Sequence, residues 1–487
     1  MSATTLHDAP GPAPLPGLGA LPRLLAFGRD PIGTAGRLFA RYGRLTTVVR
    51  APARMVSPGG RGIVIATGAD INREVLTAHE RYHTYALPGV FYPEENVTPR
   101  TRPVTRTLTG LFHVNGDEHR RHRRLLMPAF HKTRIDAYRD DMVRLTERAL
   151  DEWRPGERRD VLEDMTRLTL AIATTTLFGE DVGARGVELA KRMQEWLVAM
   201  FSWGMLLRLD LPRTTYRRWL DLTHEIDART AALLADKRRR SGDGVGRDML
   251  SMLVAARDED GSALDEDELV GHTGVIFAAG HETSTNALAW TLLLLASHPD
   301  VAADLSDELR GALKGEAPTI EQLGKLPLLD AVVKESMRLL PPVPLHPRIV
   351  AEDHELAGVF LPRRTELFLS IFHMHHDPAL FAEPRRFLPS RWSRIKPTTF
   401  EYNPFSAGPR MCIGAAFATI EIKIVLAMLL QRFRVELAGG TRIDRRVAIT
   451  MAPKHGLPMI VRPADGAWRA GRRTFRGDIR DLVELPS

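Results

Sequence analysis

Apolar residues recur at three- and four-residue spacing through most of the chain. That rhythm predicts helices over Arg134–Trp153, Leu162–Phe178, Val187–Leu207, Thr215–Arg240, Glu266–Ser297, Leu326–Leu340 and Ile413–Phe433. Leu45–Ile65 and Arg348–Leu369 instead carry valine, threonine and phenylalanine between turn residues, which suits short strands. Ala9–Pro22 reads as loop. The pattern predicts a mainly α fold, one compact domain with small β-sheet regions near its beginning and its end.

The Glu266–Ser297 segment would run for about 48 Å at 1.5 Å per residue, longer than most helices. Asp265 and Glu268 suit its first turn and Pro299 its end. Gly280 sits near its middle, where glycine costs about 1 kcal/mol relative to alanine. Close packing against another helix and a locally loosened turn are both open explanations for that residue.

Composition narrows the class. The chain has 487 residues, 44% hydrophobic and 26% charged, with a net charge of +7. These are the proportions of a globular protein. No run approaches the roughly 18 apolar residues of a membrane span, and Met1–Pro16 lacks the order of a secretory signal, so a cytoplasmic protein without a transmembrane anchor is expected. The basic residues are scattered and no nucleic-acid-binding signature is present, so no nucleic-acid partner is expected. The single cysteine, Cys412, excludes an internal disulfide and a cysteine-rich zinc site.

The surroundings of that cysteine carry the chemistry. Phe405-Ser-Ala-Gly408-Pro-Arg410-Met-Cys412-Ile-Gly414 places five residue types in the order F-x-x-G-x-R-x-C-x-G. Chance would give that pattern in a chain this long roughly once in 10⁴ sequences. A thiolate binds metal, and its pKa falls at a helix N-terminus. Cys412 stands just before an apolar-periodic helix whose free amides can point at the sulfur. Glu335-Ser-Met-Arg338, Arg391-Trp392, Asp117-Glu-His119-Arg-Arg-His-Arg123 and Ala279-Gly280-His281-Glu282-Thr283-Ser284 stand at the spacing and in the order of the same set of motifs.

Together these motifs resemble the cytochrome P-450 family, over about residues 15–463. The resemblance implies a flexible segment over 1–14, a single P-450-type domain over 15–463 and a charged extension over 464–487. It implies haem b (iron protoporphyrin IX) with Cys412 as the iron's ligand, Phe405 and Gly414 beside it, and His119, Arg123, Arg348 and Arg410 on the propionates. Glu335, Arg338 and Arg391 would form an interior ionic network. Thr283 would orient a water where oxygen is activated, with Glu282 relaying protons. A back-bond from Thr283 to the Ala279 carbonyl is the plain structural alternative.

The activity so implied is monooxygenation of a lipophilic small molecule by O2: a terpenoid, fatty acid or polyketide-like compound. Electrons would come from a separate ferredoxin or flavodoxin-type donor with its reductase, and Arg120, Arg121 and Arg124 are candidates for docking it. Phe91, Val104, Leu108, Met200, Phe277, Ala278, Val343, Leu345 and Met451 are candidates for the substrate pocket, although core packing explains each equally well. A haem-thiolate isomerase, dehydratase or peroxygenase and a non-catalytic haem protein are the alternatives. Glu282 and Thr283 argue against the first of these.

Overall fold

The computed structural model describes residues 6, 9–50, 60–84, 97–108, 110–179, 183–200, 202, 204–205, 208–240, 246–468 and 475–485. Among them, helices dominate and the strands gather into small sheets. The long helix, Glu266–Ser297, runs through the middle of the largest hydrophobic cluster. Its start is set locally. Asp265 accepts from the Glu268 amide while Glu268 accepts from the Asp265 amide, each at 2.8 Å, a reciprocal cap that satisfies two otherwise orphaned donors. From Ser284 to Leu295 every residue is buried, so this half of the helix has no polar face and is held on all sides.

Helices packed around or beside it include Arg102–Leu108, Val161–Phe178, Thr215–Arg240, Pro327–Leu339 and Ala415–Arg432. Gly274 allows the close approach of Arg102–Leu108, because a Cβ there would sit 2.8 Å from the Thr107 carbonyl. The helix stays unbroken through Gly280, so the loosened turn left open there is not seen: the backbone ladder continues and Thr283 bonds back to Ala279. A Cβ at Gly280 would meet nothing within 4 Å, so close packing does not explain the glycine either.

A five-stranded sheet has the order Leu45–Val49, Ile63–Ala66, Glu366–Ser370, Leu345–Val350, Tyr82–His83. Its pairs are antiparallel except Ile63–Ala66 with Glu366–Ser370. The early and late parts of the chain are therefore stitched into one sheet. A second sheet, Arg158–Asp160, Pro458–Pro463, Phe433–Leu437, was not apparent from periodicity, because its strands are short.

Several element boundaries differ from expectation. The helix expected from Val187 to Leu207 spans Gly183–Met200. Pro299, read as a stop, also opens a new helix, Pro299–Leu313, at the position where a missing N–H costs nothing. The C-terminal extension was read as lying beyond the core. Instead Phe475, Ile479, Leu482, Val483 and Leu485 are buried in the main cluster. The Ile443 amide donates to the Arg476 carbonyl at 2.7 Å, and the Glu484 amide to the Arg385 carbonyl at 2.8 Å. Among the described residues no helix is long and apolar enough to cross a membrane.

Candidate cofactor and active site

Cys412 lies in the loop before the cysteine helix, Ala415–Arg432, whose N-cap is Gly414. The loop is fixed by its own backbone: the Cys412 amide donates to the Phe405 carbonyl at 2.8 Å. Gly408 has φ +68°, and a Cβ on it would come within 2.2 Å of the Leu76 carbonyl, so this position needs glycine twice over. Cys412 is at once exposed and surrounded. Its side chain presents open surface, while nearby protein desolvates the thiol and pushes its pKa up. Both hold for a sulfur that faces a recess inside the protein. The Gly414 amide and the Arg123 charge act in the opposite direction and favour the thiolate.

Four cationic or cation-capable side chains stand around this recess. Arg348, on the strand Leu345–Val350, is 6% exposed, and burial pushes its guanidinium down to about 10. Its one hydrogen bond among the described residues goes to the neighbouring Pro347 carbonyl at 2.8 Å. Burial, Arg348 and Arg123 bring Arg410 to about 10 as well. Arg410 donates to the Leu111 and Val114 carbonyls at 3.0 and 2.6 Å and to Asn115 Oδ1 at 2.6 Å, leaving Nε without a partner. Arg123 donates to the Met411 carbonyl at 2.8 Å. His119 is buried with Nδ1 unpartnered, and burial with Arg410 and Arg123 takes it down to about 3. None of these groups has a carboxylate partner among the described residues.

Buried charge without a counter-ion is costly, and mutual repulsion adds to it. A cofactor with two carboxylates and a metal for the sulfur answers both needs, so the residues present fit haem. Asn115 and His83 were missed by sequence reasoning. Asn115 ties Arg410 to the Thr84 amide, and His83 is held low by burial and by Arg410. Neither belongs to a motif, and only the fold brings them near.

Away from the recess, Glu335, Arg338 and Arg391 meet in the interior. Arg338 chelates Glu335 at 3.0 and 2.9 Å, Arg391 Nε donates to it at 2.9 Å, and Leu388 N–H and the Trp392 indole N–H complete it at 3.0 Å each. The remaining guanidinium donors reach the His375, Pro384, Ala382 and Glu383 carbonyls. Every charge in the network is answered, which makes it tolerable at this depth.

On the long helix, Thr283 donates to the Ala279 carbonyl at 2.8 Å. Glu282 points elsewhere and accepts from Thr450 Oγ1 at 2.8 Å. The next residue, Ser284, donates to Glu421 on the cysteine helix at 2.5 Å. Thr450 and Glu421 were not singled out from sequence.

The pocket candidates divide. Val104, Phe277 and Met451 have no more than 1% of their surface accessible and belong to the core, which corrects their assignment as wall residues. Phe277 stacks on Phe178 at 6.3 Å because its position on the helix faces Val161–Phe178. Leu345 is buried in the sheet cluster. Met200, Ala278 and Val343 keep partial exposure. Phe91 and the side chain of Leu108 lie outside the described residues.

The surface arginines are also corrected. Arg120 pairs with Asp117 and Glu80, Arg121 with Glu268 at 2.8 Å, and Arg124 with Asp258 at 2.8 Å. Local acids thus neutralise much of the patch expected to steer a donor.

A mainly helical fold with one thiol beside buried and half-buried arginines that lack carboxylate partners among the described residues defines a haem-thiolate class of protein. Comparison with known proteins gives the family. The family model "Cytochrome P450" matches residues 10–457. Cyclooctat-9-en-7-ol 5-monooxygenase of Streptomyces melanosporofaciens is 29% identical, covering 90% of this chain and 91% of its own. Cyclooctatin synthase of the same organism is 33% identical, covering 72% and 78%. The retinoic-acid-bound cyanobacterial CYP120A1 superposes with a TM-score of 0.78 at 25% identity, covering 93% and 99%. The chain belongs to the cytochrome P450 family, whose members are haem-dependent monooxygenases that use O2, redox partners and lipophilic substrates.

Proposed function

We propose that the chain binds haem b and inserts one oxygen atom from O2 into a terpenoid, with electrons from a separate ferredoxin or flavodoxin-type donor and its reductase. The observation that carries this reading is the buried Arg348 and the half-buried Arg410 and Arg123, none with a carboxylate partner among the described residues, near an accessible cysteine. The Streptomyces relative named for cyclooctat-9-en-7-ol supports the choice of terpenoid over fatty acid or polyketide.

Cys412 would hold the iron, with Gly414 N–H and Arg123 keeping the sulfur ionised. Arg348, Arg410, Arg123 and His119 would hold the propionates, where charge-assisted hydrogen bonds are strongest. Bound through a thiolate, haem supplies the electron push that favours O–O cleavage. The chain's own part in turnover is proton handling and exclusion of bulk water. Glu282, hydrogen-bonded by Thr450, would relay protons, and the lone pairs of Thr283 Oγ1 left free by its back-bond would accept from a water. Ala278, Val343 and Met200 offer apolar surface for the substrate.

The test is a ferrous-CO spectrum followed by NADPH and O2 consumption with surrogate redox partners. Thiolate ligation gives a red-shifted Soret band, and a terpenoid that binds should raise consumption and yield a product heavier by one oxygen. A spectrum without that band would refute the ligand assignment. Consumption indifferent to every terpenoid but raised by a fatty acid would refute the substrate class.

A further inference from the structure

The charged C-terminal extension carries no motif, and the proposed function gives it no role. Within it, residues 475–485 fasten two segments that serve the site. One is the turn into a two-stranded ribbon, Arg445–Val447 paired with Met451–Pro453. The Asp478 amide donates to Asp444 Oδ1 at 3.0 Å. In return, Asp478 Oδ1 accepts from the Arg445 amide at 2.7 Å and the Asp478 carbonyl from the Arg445 guanidinium at 2.9 Å. Gly477 crosses the Ile443 backbone so closely that a Cβ would lie 2.0 Å from the Ile443 carbonyl, at a φ of +127° that side chains rarely adopt.

The second segment runs through Arg385 and Arg386. The Arg385 guanidinium donates to the Arg480 carbonyl at 2.8 Å, and the Glu484 amide donates to the Arg385 carbonyl at the same distance. The next carbonyl, that of Arg386, receives Arg338 and Arg391 at 3.3 and 3.4 Å. This anchor therefore sits on the segment that closes the interior ionic network. Between the two anchors, the buried side chains of Ile479 and Leu482 hold the extension against the core.

The ribbon needs such support, because an isolated two-stranded hairpin is only marginally stable in water. Its inner strand is held from within. The Met451 amide donates to the Pro342 carbonyl at 2.8 Å, and the Met451 carbonyl accepts from the Trp290 indole on the long helix at 2.9 Å. The outer strand starts at Arg445, the residue that Asp478 grips; its guanidinium also reaches Asp30 at 3.2 Å. Val447 pairs directly with Met451, so residues 448–450 close the ribbon with little slack. Within that closure the Ala448 amide donates to the Thr450 carbonyl at 3.0 Å, and Thr450 Oγ1 donates to Glu282 at 2.8 Å.

We propose that residues 475–485 are a strap that positions Thr450, and through it the Glu282 carboxylate, by fixing the outer strand of this ribbon. The inference rests on the reading of Glu282 as a proton relay. Asp478 and Thr450 are positioning residues and transfer no proton themselves. With the inner strand fixed on the long helix and the outer strand on the strap, the closure has one arrangement, and the Thr450 hydroxyl stays on the carboxylate. Releasing Arg445 from Asp478 frees the outer strand, and the short closure carries that freedom to Thr450.

Hydrogen exchange of the full-length protein reads the strap directly, because local opening sets amide protection. Asp478→Ala removes the acceptor of the Arg445 amide, so the Arg445 and Ala448 amides should exchange roughly tenfold faster, the low end of what a hydrogen bond to a charged group is worth. Asp478→Asn keeps an acceptor oxygen and should restore their protection. Faster exchange confined to residues 475–485, with Ala448 unchanged, overturns the strap. Turnover supplies the readout that a merely structural role would not move. With NADPH, O2 and a plant-type ferredoxin and its reductase, rates per haem should show that Asp478→Ala and Thr450→Val act on one contact. The double variant should then oxidise NADPH no more slowly than Thr450→Val alone, whereas effects that multiply would mean independent sites and overturn the strap. A Thr450→Val protein with parental turnover would count against the Glu282 relay, and the exchange result would still decide the strap.

Discussion

Ser284 Oγ lies 2.5 Å from Glu421 Oε2, which ties the residue after Thr283 to a carboxyl on the cysteine helix. Glu421 is 0% exposed, and its other oxygen has no partner. Burial raises its pKa to about 8, against which the Ser284 hydroxyl acts only partly. The acid is therefore neutral in the folded protein at pH 7.

The raised value fixes the sign of a pH effect. A carboxyl whose folded pKa lies above its unfolded value contributes fully below the unfolded value, about 4.3, and loses its contribution as pH rises toward 8. A tenfold difference in proton affinity between the two states is worth ~1.4 kcal/mol. The parent protein should thus lose urea-unfolding midpoint between pH 5 and pH 8.5, and Glu421→Gln should flatten that decline. Parallel curves for the two proteins would show that Glu421 is ionised throughout.

Arg348 and Arg410 should show effects of opposite sign in two assays. Arg348→Leu removes a charge that no carboxylate among the described residues neutralises, so haem-free protein should become more resistant to urea. The same change should weaken haem retention roughly tenfold, since a hydrogen bond to a charged group is worth about 1.5–3 kcal/mol. Haem content after gel filtration and the unfolding midpoint of haem-free protein are the two measurements. Equal haem retention in Arg348→Leu, Arg410→Leu and the parent would remove both from the cofactor site.

Glu335 behaves differently, because its partners would be stranded. Arg338, Arg391, Trp392 and the Leu388 amide all converge on it. Breaking a buried pair by removing one partner typically costs about 3–5 kcal/mol. Glu335→Ala should therefore give little folded protein, whereas breaking the exposed pair Lys325–Glu321 should leave the unfolding midpoint unchanged. A Glu335→Ala protein with an unchanged unfolding midpoint would contradict the network's role.

Much of this was legible in the sequence because helices with an apolar stripe and residues at fixed spacing leave a local trace. The long helix was readable to the residue, since Asp265 and Glu268 cap it and Pro299 follows it. The groups that answer the motif residues were not readable. Thr450, Glu421 and Asn115 come from other segments and carry no spacing of their own, so only the fold identifies them. Phe277 was misread because an apolar residue beside a motif looks alike whether it faces a pocket or, as here, Phe178. The ion pairs of Arg121 and Arg124 were not visible in the sequence because their acid partners, Glu268 and Asp258, are remote in sequence, whereas Asp117 lies one turn from Arg120.

The acid–threonine pair decides between monooxygenation and the other haem-thiolate chemistries. The Thr283 hydroxyl hydrogen is spent on the Ala279 carbonyl, so the hydroxyl can only accept from a water. A group in that position steadies a water's oxygen-to-oxygen geometry and leaves the water's second hydrogen free to be given up. Thr283→Ala should then keep the fold, the haem content and the CO band while releasing more hydrogen peroxide per NADPH oxidised. Thr283→Ser, which restores the hydroxyl, should recover coupling. Glu282 receives the Thr450 hydroxyl hydrogen, so Thr450→Val should free that carboxylate without touching Thr283. If Glu282 is the relay, Glu282→Gln should slow turnover by up to the 10²-fold at the low end of acid–base assistance and enlarge the solvent isotope effect. A Thr283 that serves only as a back-bonded helix residue forecasts a small loss of stability and an unchanged peroxide ratio. Peroxide counted against NADPH in the Ala and Ser variants separates the two, because only the loss of a water-accepting hydroxyl makes coupling fall in one and return in the other.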